Sequence, residues 1–120
     1  MFAYGQTGCG KTYTMSGPDP FHETLAGVTP RSFKHIFKII DAEPDKKFLV
    51  RCTFIEIYNN QIRDLLGKDQ EKRLPIKESK DRGIFIKDIT YVVAKGVQPL
   101  LDAIELGNKN RHTGATAMNA

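Results

Sequence analysis

One stretch of the chain has the residue types and spacing to hold phosphate: Gly5-Gln6-Thr7-Gly8-Cys9-Gly10-Lys11-Thr12, a single match to G-x-x-x-x-G-K-[ST] in 120 residues. Gly5 and Gly10 let the backbone curl where a Cβ would clash, so successive N–H groups point inward. That concave row of donors suits the β-phosphate of a nucleotide, and a helix starting directly after it adds its positive end. Lys11 supplies a mobile point charge for the β- and γ-phosphates, and Thr12 supplies a hydroxyl for Mg²⁺. From average residue usage, chance produces such a match in roughly four in a thousand chains of this length. An accidental glycine turn beside an exposed lysine is therefore the weaker reading. The motif names phosphate chemistry and not yet a function.

Such a loop works between a strand and a helix. Met1-Phe2-Ala3-Tyr4 is an apolar run that reads as the end of a buried strand, and residues 11–16 start a short helix stopped by Gly17-Pro18. Residues 19–27 hold Pro20 and no periodicity, which predicts a loop. A second helix follows, with Thr29 as expected N-cap and Pro30 at its first position; Phe33, Ile36, Phe37 and Ile40 form its apolar face, and Glu43-Pro44-Asp45 ends it. Residues 48–58 are β-branched and aromatic with apolar residues on both faces, predicting one central strand covered on two sides. Residues 61–66 read as a helical turn stopped by Gly67, and residues 68–73 as an exposed charged stretch. Residues 74–78 and 83–87 form two short strands joined by Ser79-Lys80-Asp81-Arg82, and residues 89–93 a further strand. A last helix is expected over 97–111, with Val97, Leu100, Leu101 and Ile104 on one face. The end, His112 to Ala120, is small and polar and carries no natural stop signal. The expected fold class is α/β.

Hydrophobic residues make up 40% and charged residues 27% of the chain, an ordinary globular balance that excludes a disordered one. No apolar run approaches the ~20 residues that span a bilayer. The start lacks a basic n-region and reaches glycine by residue 5, unlike a signal peptide. Met1 sits inside an apolar run and does not read as a natural start. Cys9 lies in the glycine loop and Cys52 in a buried-looking strand, which makes no disulfide framework and predicts a reducing, cytosolic setting. His22, His35 and His112 show no metal-ligand spacing. The formal net charge of +4 is too small to identify a partner.

The residues around the loop narrow the reading. Phe2-Ala3-Tyr4-Gly5-Gln6-Thr7-Gly8-Cys9-Gly10-Lys11-Thr12-Tyr13-Thr14-Met15 resembles the kinesin form, F-A-Y-G-Q-T-G-x-G-K-T-x-T-M. Gly27-Val28-Thr29-Pro30-Arg31 is similar to the family's G-[IV]-x-P-R. Glu56-Ile57-Tyr58-Asn59 and then Ile62-Arg63-Asp64-Leu65-Leu66 are similar to its E-I-Y-N…D-L-L segment. Residues 107–111 and 114–119 resemble the approach to switch I, and the tail from Asn110 to Ala120 looks most like the kinesin-2 type. The resemblance runs from residue 2 to residue 120.

It implies an α/β P-loop NTPase of the kinesin motor type, of which residues 1–120 form an internal part running from the P-loop to the start of switch I and incomplete at both ends. It implies ATP and Mg²⁺ as cofactors, with Gly5, Gln6, Thr7, Gly8, Cys9, Gly10, Lys11 and Thr12 around the phosphates, Thr12 on the metal and Tyr13 against the adenine. Lys77, Lys80, Arg82 and Lys87 become candidate microtubule contacts, and Asn119 the first residue of switch I. The implied partner is the microtubule (tubulin), with no nucleic acid and no membrane, in the cytoplasm on the cytoskeleton. The implied activity is a microtubule-stimulated ATPase of the complete motor, coupled to movement along microtubules.

Asn119 resembles the first residue of N-x-x-S-S-R-S-H, so the switch residues of the family are expected beyond Ala120. No catalytic residue is therefore assigned between Met1 and Ala120, and the isolated piece is expected to bind nucleotide weakly, without turnover. It is also expected to pack loosely or aggregate, because the strand before the P-loop should be central in a mostly parallel sheet, and a central strand lacking neighbours exposes apolar faces and unpaired backbone. Two rival readings stand beside this one. Another P-loop enzyme is disfavoured in its guanine-specific form, because Asn108-Lys109-Asn110-Arg111 has arginine where N-K-x-D needs aspartate. A non-hydrolysing nucleotide- or microtubule-binding module stays open on sequence alone.

Overall fold

The computed structural model describes residues 1–119, with side chains to residue 111. Ala120, after which the switch residues are expected, lies outside the described residues. The glycine loop leads straight into α1, Lys11–Met15, and α2 follows as Val28–Asp41. Six short strands come next: β1 Val50–Cys52, β2 Ile55–Tyr58, β3 Gln61–Asp64, β4 Ile76–Ser79, β5 Gly83–Ile86 and β6 Val92–Ala94. The long helix α3, Val97–Asn119, closes the order and runs eight residues past the expected end at 111. Among the described residues no helix is long and apolar enough to cross a membrane.

The strands pair antiparallel in three two-stranded sheets, β1 with β6, β2 with β3 and β4 with β5. This corrects the expectation of a mostly parallel sheet around the P-loop. Residues 1–4 form no strand, with Phe2 82% and Tyr4 86% exposed. A strand exists only where a neighbour completes its hydrogen bonds, and no described segment pairs with this one.

The run 48–58 is likewise two strands and not one. It breaks at Thr53-Phe54, because β1 takes β6 as partner while β2 turns back on β3. Leu49 and Ile57, placed by their pattern on one covered face, are 65% and 68% exposed.

The segment read as a helical turn after Gln61 is strand β3. Asn59 and Asn60 both adopt positive φ, 51° and 61°, the backbone of a two-residue type I′ hairpin turn. Asparagine tolerates that region because its short polar side chain hydrogen-bonds locally. The register pairs Glu56 with Arg63, whose NH1 donates to the Glu56 carboxylate at 2.6 Å.

Helix α2 starts one residue after Gly27, which is its N-cap in place of Thr29. The Gly27 N–H donates to the Ser16 carbonyl at 3.0 Å, fixing where the helix begins. Arg31 then reaches back, donating to the Ala26 and Thr24 carbonyls at 2.9 Å each. The 19–27 loop is thereby drawn closed at its neck. Gly17 makes the neck possible: its φ of +77° suits glycine, and a Cβ there would overlap the Leu25 carbonyl and the Gly27 nitrogen.

The core forms where α3 packs on β6 and α2. Phe37, Ala94 and Leu100 are its buried centre, with Phe33, Ile40, Val50, Cys52 and Val97 around them. Leu101 and Ile104 are buried too, so the predicted apolar face of α3 holds; on α2, Ile36 remains 43% exposed. Each large apolar side chain removed from water contributes about 1.5–3 kcal/mol.

Candidate functional site

The glycine loop has the local geometry its sequence demands. Gly5, Gly8 and Gly10 sit at φ 151°, 85° and 100°, three positive-φ glycines within six residues. The Cys9 N–H donates to the Gln6 carbonyl at 3.2 Å and closes the first turn. Gly10 is the left-handed N-cap of α1, a position where a side chain would strain the backbone. The Lys11 ammonium donates to the Gly5 carbonyl at 2.6 Å, so the lysine folds back over the loop that precedes it. An ammonium has three donors, which leaves others for phosphate oxygens.

Phe2, Ala3, Tyr4, Cys9, Gly10, Lys11 and Thr14 line an open depression of about 280 Å³. Thr12 lies exposed on the first turn of α1, and Tyr13 is 66% exposed beside it. The depression therefore brings Cys9, Gly10 and Lys11 together, with Gly5 tied to it through the Lys11 ammonium, while Gln6, Thr7, Gly8, Thr12 and Tyr13 are not among the residues that line it. A lone hydroxyl donor is what a magnesium ion needs where nucleotide oxygens and water complete its shell, so Thr12 fits that chemistry.

The two thiols differ. Cys9 is exposed in the loop, and Cys52 is half-buried in β1, where burial pushes its thiol up from the ordinary value. Thiolates are the reactive form. Alkylation at neutral pH is therefore expected at the exposed Cys9 well before Cys52, whose labelling should rise with pH as its raised thiol ionises. Peptide mapping after timed iodoacetamide treatment checks this; faster labelling of Cys52 than of Cys9 would contradict it.

The second group of candidates lies on β4–β5. Lys77, Lys80, Arg82 and Lys87 are all exposed. The register pairs Lys77 with Phe85, and the Arg82 guanidinium lies 3.9 Å from the centre of the Phe85 ring. The Lys87 N–H donates to the Pro75 carbonyl, two residues further along the same ladder. Alternation along the strands puts Lys77, Phe85 and Lys87 on one face, with Arg82 stacked upon it. Lys80 is at the connecting turn. At the other end of the chain, the backbone of Asn119, expected to begin switch I, ends α3, while its side chain and the whole of Ala120 lie outside the described residues.

Sequence reasoning missed the polar frame between these groups. Asp64 is buried, and its carboxylate accepts the Leu66 and Thr90 N–H groups at 3.1 and 2.7 Å. Asn110 on α3 donates to the Leu65 carbonyl at 2.7 Å. The signal was Asn59-Asn60: reading it as a hairpin turn would have placed Asp64 at the end of a strand.

A glycine loop of this shape, capping a helix within a mixed helix-and-strand chain, defines an α/β P-loop protein. The kinesin motor domain family model matches residues 1–120. Kinesin-like protein KIF3C of Pongo abelii is 47% identical over 119 residues, and that of Mus musculus equally so; each alignment covers 99% of this chain and 15% of the relative. KIF3C is a kinesin-2 family protein, in keeping with the look of the tail. A solved structure of a fast kinesin, described for its ATPase mechanism and interactions with microtubules, superposes with a TM-score of 0.89 at 38% identity, covering 98% of this chain and 33% of its own. The chain belongs to the kinesin motor domain family. It spans about one seventh of the length of these curated relatives.

Proposed function

We propose that residues 1–120 are an internal part of a microtubule motor, reaching from the P-loop to the start of switch I, and that the complete motor binds MgATP, hydrolyses it and moves along microtubules. The observation that carries this is the loop at 5–12, where three glycines at positive φ turn the chain and Lys11 folds over it, in a chain of kinesin family. In this reading Gly5, Gln6, Thr7, Gly8, Cys9 and Gly10 surround the phosphates, Lys11 meets the β- and γ-oxygens, and Tyr13 offers its exposed ring to the adenine. Thr12 would hold Mg²⁺, which offsets phosphate charge when bound. The residues that position the attacking water belong to the switches beyond Ala120. The motor works in the cytoplasm on the microtubule cytoskeleton, without nucleic-acid or membrane partners.

The test is steady-state turnover of MgATP by the complete motor domain with and without microtubules, with GTP as competitor. Strong preference for ATP and stimulation by microtubules is the expected result; absence of ATP binding ends the proposal.

The hairpin gives a separate prediction. Tubulin is acidic, and the cationic face formed by Lys77, Arg82 and Lys87 is exposed to meet it. Reversing Lys77, Lys80, Arg82 or Lys87 to glutamate in the complete motor is expected to weaken microtubule affinity about threefold to tenfold each. The salt dependence of binding should flatten in step, because exposed charge pairs are screened. Co-sedimentation across a salt series checks both, and unchanged affinity in all four variants removes the hairpin from the interface.

A further inference from the structure

Two adjacent residues, Asp64 and Leu65, hold both the exit of the cationic hairpin and the far half of α3. The β4–β5 ladder runs to Lys87, and three residues later the Thr90 N–H is bound by the Asp64 carboxylate at 2.7 Å. The next carbonyl along, that of Leu65, accepts the Asn110 side-chain amide at 2.7 Å. Leu65 is completely buried and its N–H is held by the Phe54 carbonyl at 2.9 Å, so the backbone of this residue is held at both its N–H and its carbonyl. Polar bonds in such surroundings are strong and costly to break.

The first half of helix α3 is seated by apolar contact, at Leu100, Leu101, Ala103 and Ile104. Asn110 lies past that seat, on the stretch leading to Asn119. Apolar contact lets a helix slide or roll, whereas a directed amide-to-carbonyl bond fixes its rotation. A shift of the hairpin at Thr90 thus has a direct polar route through Asp64 and Leu65 into α3.

We infer that Asn110 is a positioning residue, which couples the cationic hairpin to the end of α3 and so transmits microtubule binding to ATP turnover. This rests on the motor reading above. The Asn110 amide is bonded to Leu65 and not to the glycine loop, so its role is separable from nucleotide binding.

The experiment compares the complete motor domain with its Asn110→Asp and Asn110→Gln variants. Aspartate keeps the shape but turns the donor into an acceptor facing the Leu65 carbonyl; glutamine keeps a donor on a longer arm. Basal turnover and the KM for ATP should stay within about twofold of wild type. The ratio of microtubule-stimulated to basal kcat should fall about fivefold in Asn110→Asp, within the range known for residues that carry coupling, and recover partly in Asn110→Gln. A parallel fall of basal and stimulated rates marks a merely structural tether and overturns the inference, as does an unchanged ratio in Asn110→Asp. If Asn110→Asp does not fold, the Asn110→Gln ratio decides: a value equal to wild type overturns the inference. If wild type itself shows no stimulation, the motor reading fails first and the coupling with it; stimulation in wild type isolates the inference about Asn110.

Discussion

Replacing Lys11 by alanine in the complete motor domain is expected to lower ATP turnover about 10²–10³-fold, the range seen when a single preorganised donor to developing charge is removed. The ammonium sits at the wall of the depression, tethered by one bond to the Gly5 carbonyl. In phosphoryl transfer there is little covalent chemistry for the protein to perform, so loss of one positioned charge acts almost wholly on the barrier. Lys11→Arg should recover little. The guanidinium is planar and bulkier, and cannot act as a compact point charge inside a loop that carries three positive-φ glycines within six residues. Steady-state ATPase assays measure the loss, with near-UV circular dichroism confirming that the fold persists. Turnover within a factor of ten of wild type would remove Lys11 from the phosphate site.

Asp64→Ala is expected to have the largest effect on stability. The carboxylate is buried and satisfies two backbone N–H groups from segments far apart in sequence, at Leu66 and Thr90. Alanine leaves the buried Leu66 N–H without a partner, at about 1–3 kcal/mol, releases the N–H of the exposed Thr90 to water and leaves a cavity, for a total of about 2–4 kcal/mol. Asp64→Asn should cost roughly half as much, since it keeps one acceptor and presents an amide to the other N–H. Denaturant melts of the complete motor domain compare the three proteins. An alanine variant with the wild-type midpoint would show that this frame contributes nothing.

The loop, α1, α2, the β4–β5 hairpin and the buried face of α3 were legible because short-range rules decide them. Gly-Lys-Thr spacing, Gly17-Pro18 as a stop, the 3.6-residue period of Phe33, Phe37 and Ile40, and two strand runs across a polar turn each act within a few residues. The failures among the strands all depend on a partner. Phe2-Ala3-Tyr4 has strand composition, yet a strand requires a neighbour that the described residues do not provide. Residues 48–58 alternate like one strand, but β6 and β3 compete for its two halves. Gln61-Ile62-Arg63-Asp64 carries no strong local preference, and the Asn59-Asn60 turn decided its direction. Of the candidate site, the glycine loop and the helix it caps were readable in the local sequence, whereas Asp64 and Asn110 act through bonds spanning 26 and 45 positions, which no local pattern encodes.

The closed neck of the 19–27 loop has a consequence for how this region tolerates change. The Ser16–Gly27 bond and the two Arg31 bonds act as a drawstring, so what lies between Pro18 and Glu23 hangs outside the load path from α1 to α2. Lengthening a loop whose ends are already tied adds only a slowly growing entropy term. Inserted reporter tags or fluorophore-bearing residues at Asp19–Pro20 can therefore be carried without disturbing Lys11, whereas the same insertion between Ala26 and Gly27 would cut the string. Natural relatives should vary in length on the outer side of that knot and hold length fixed on its inner side.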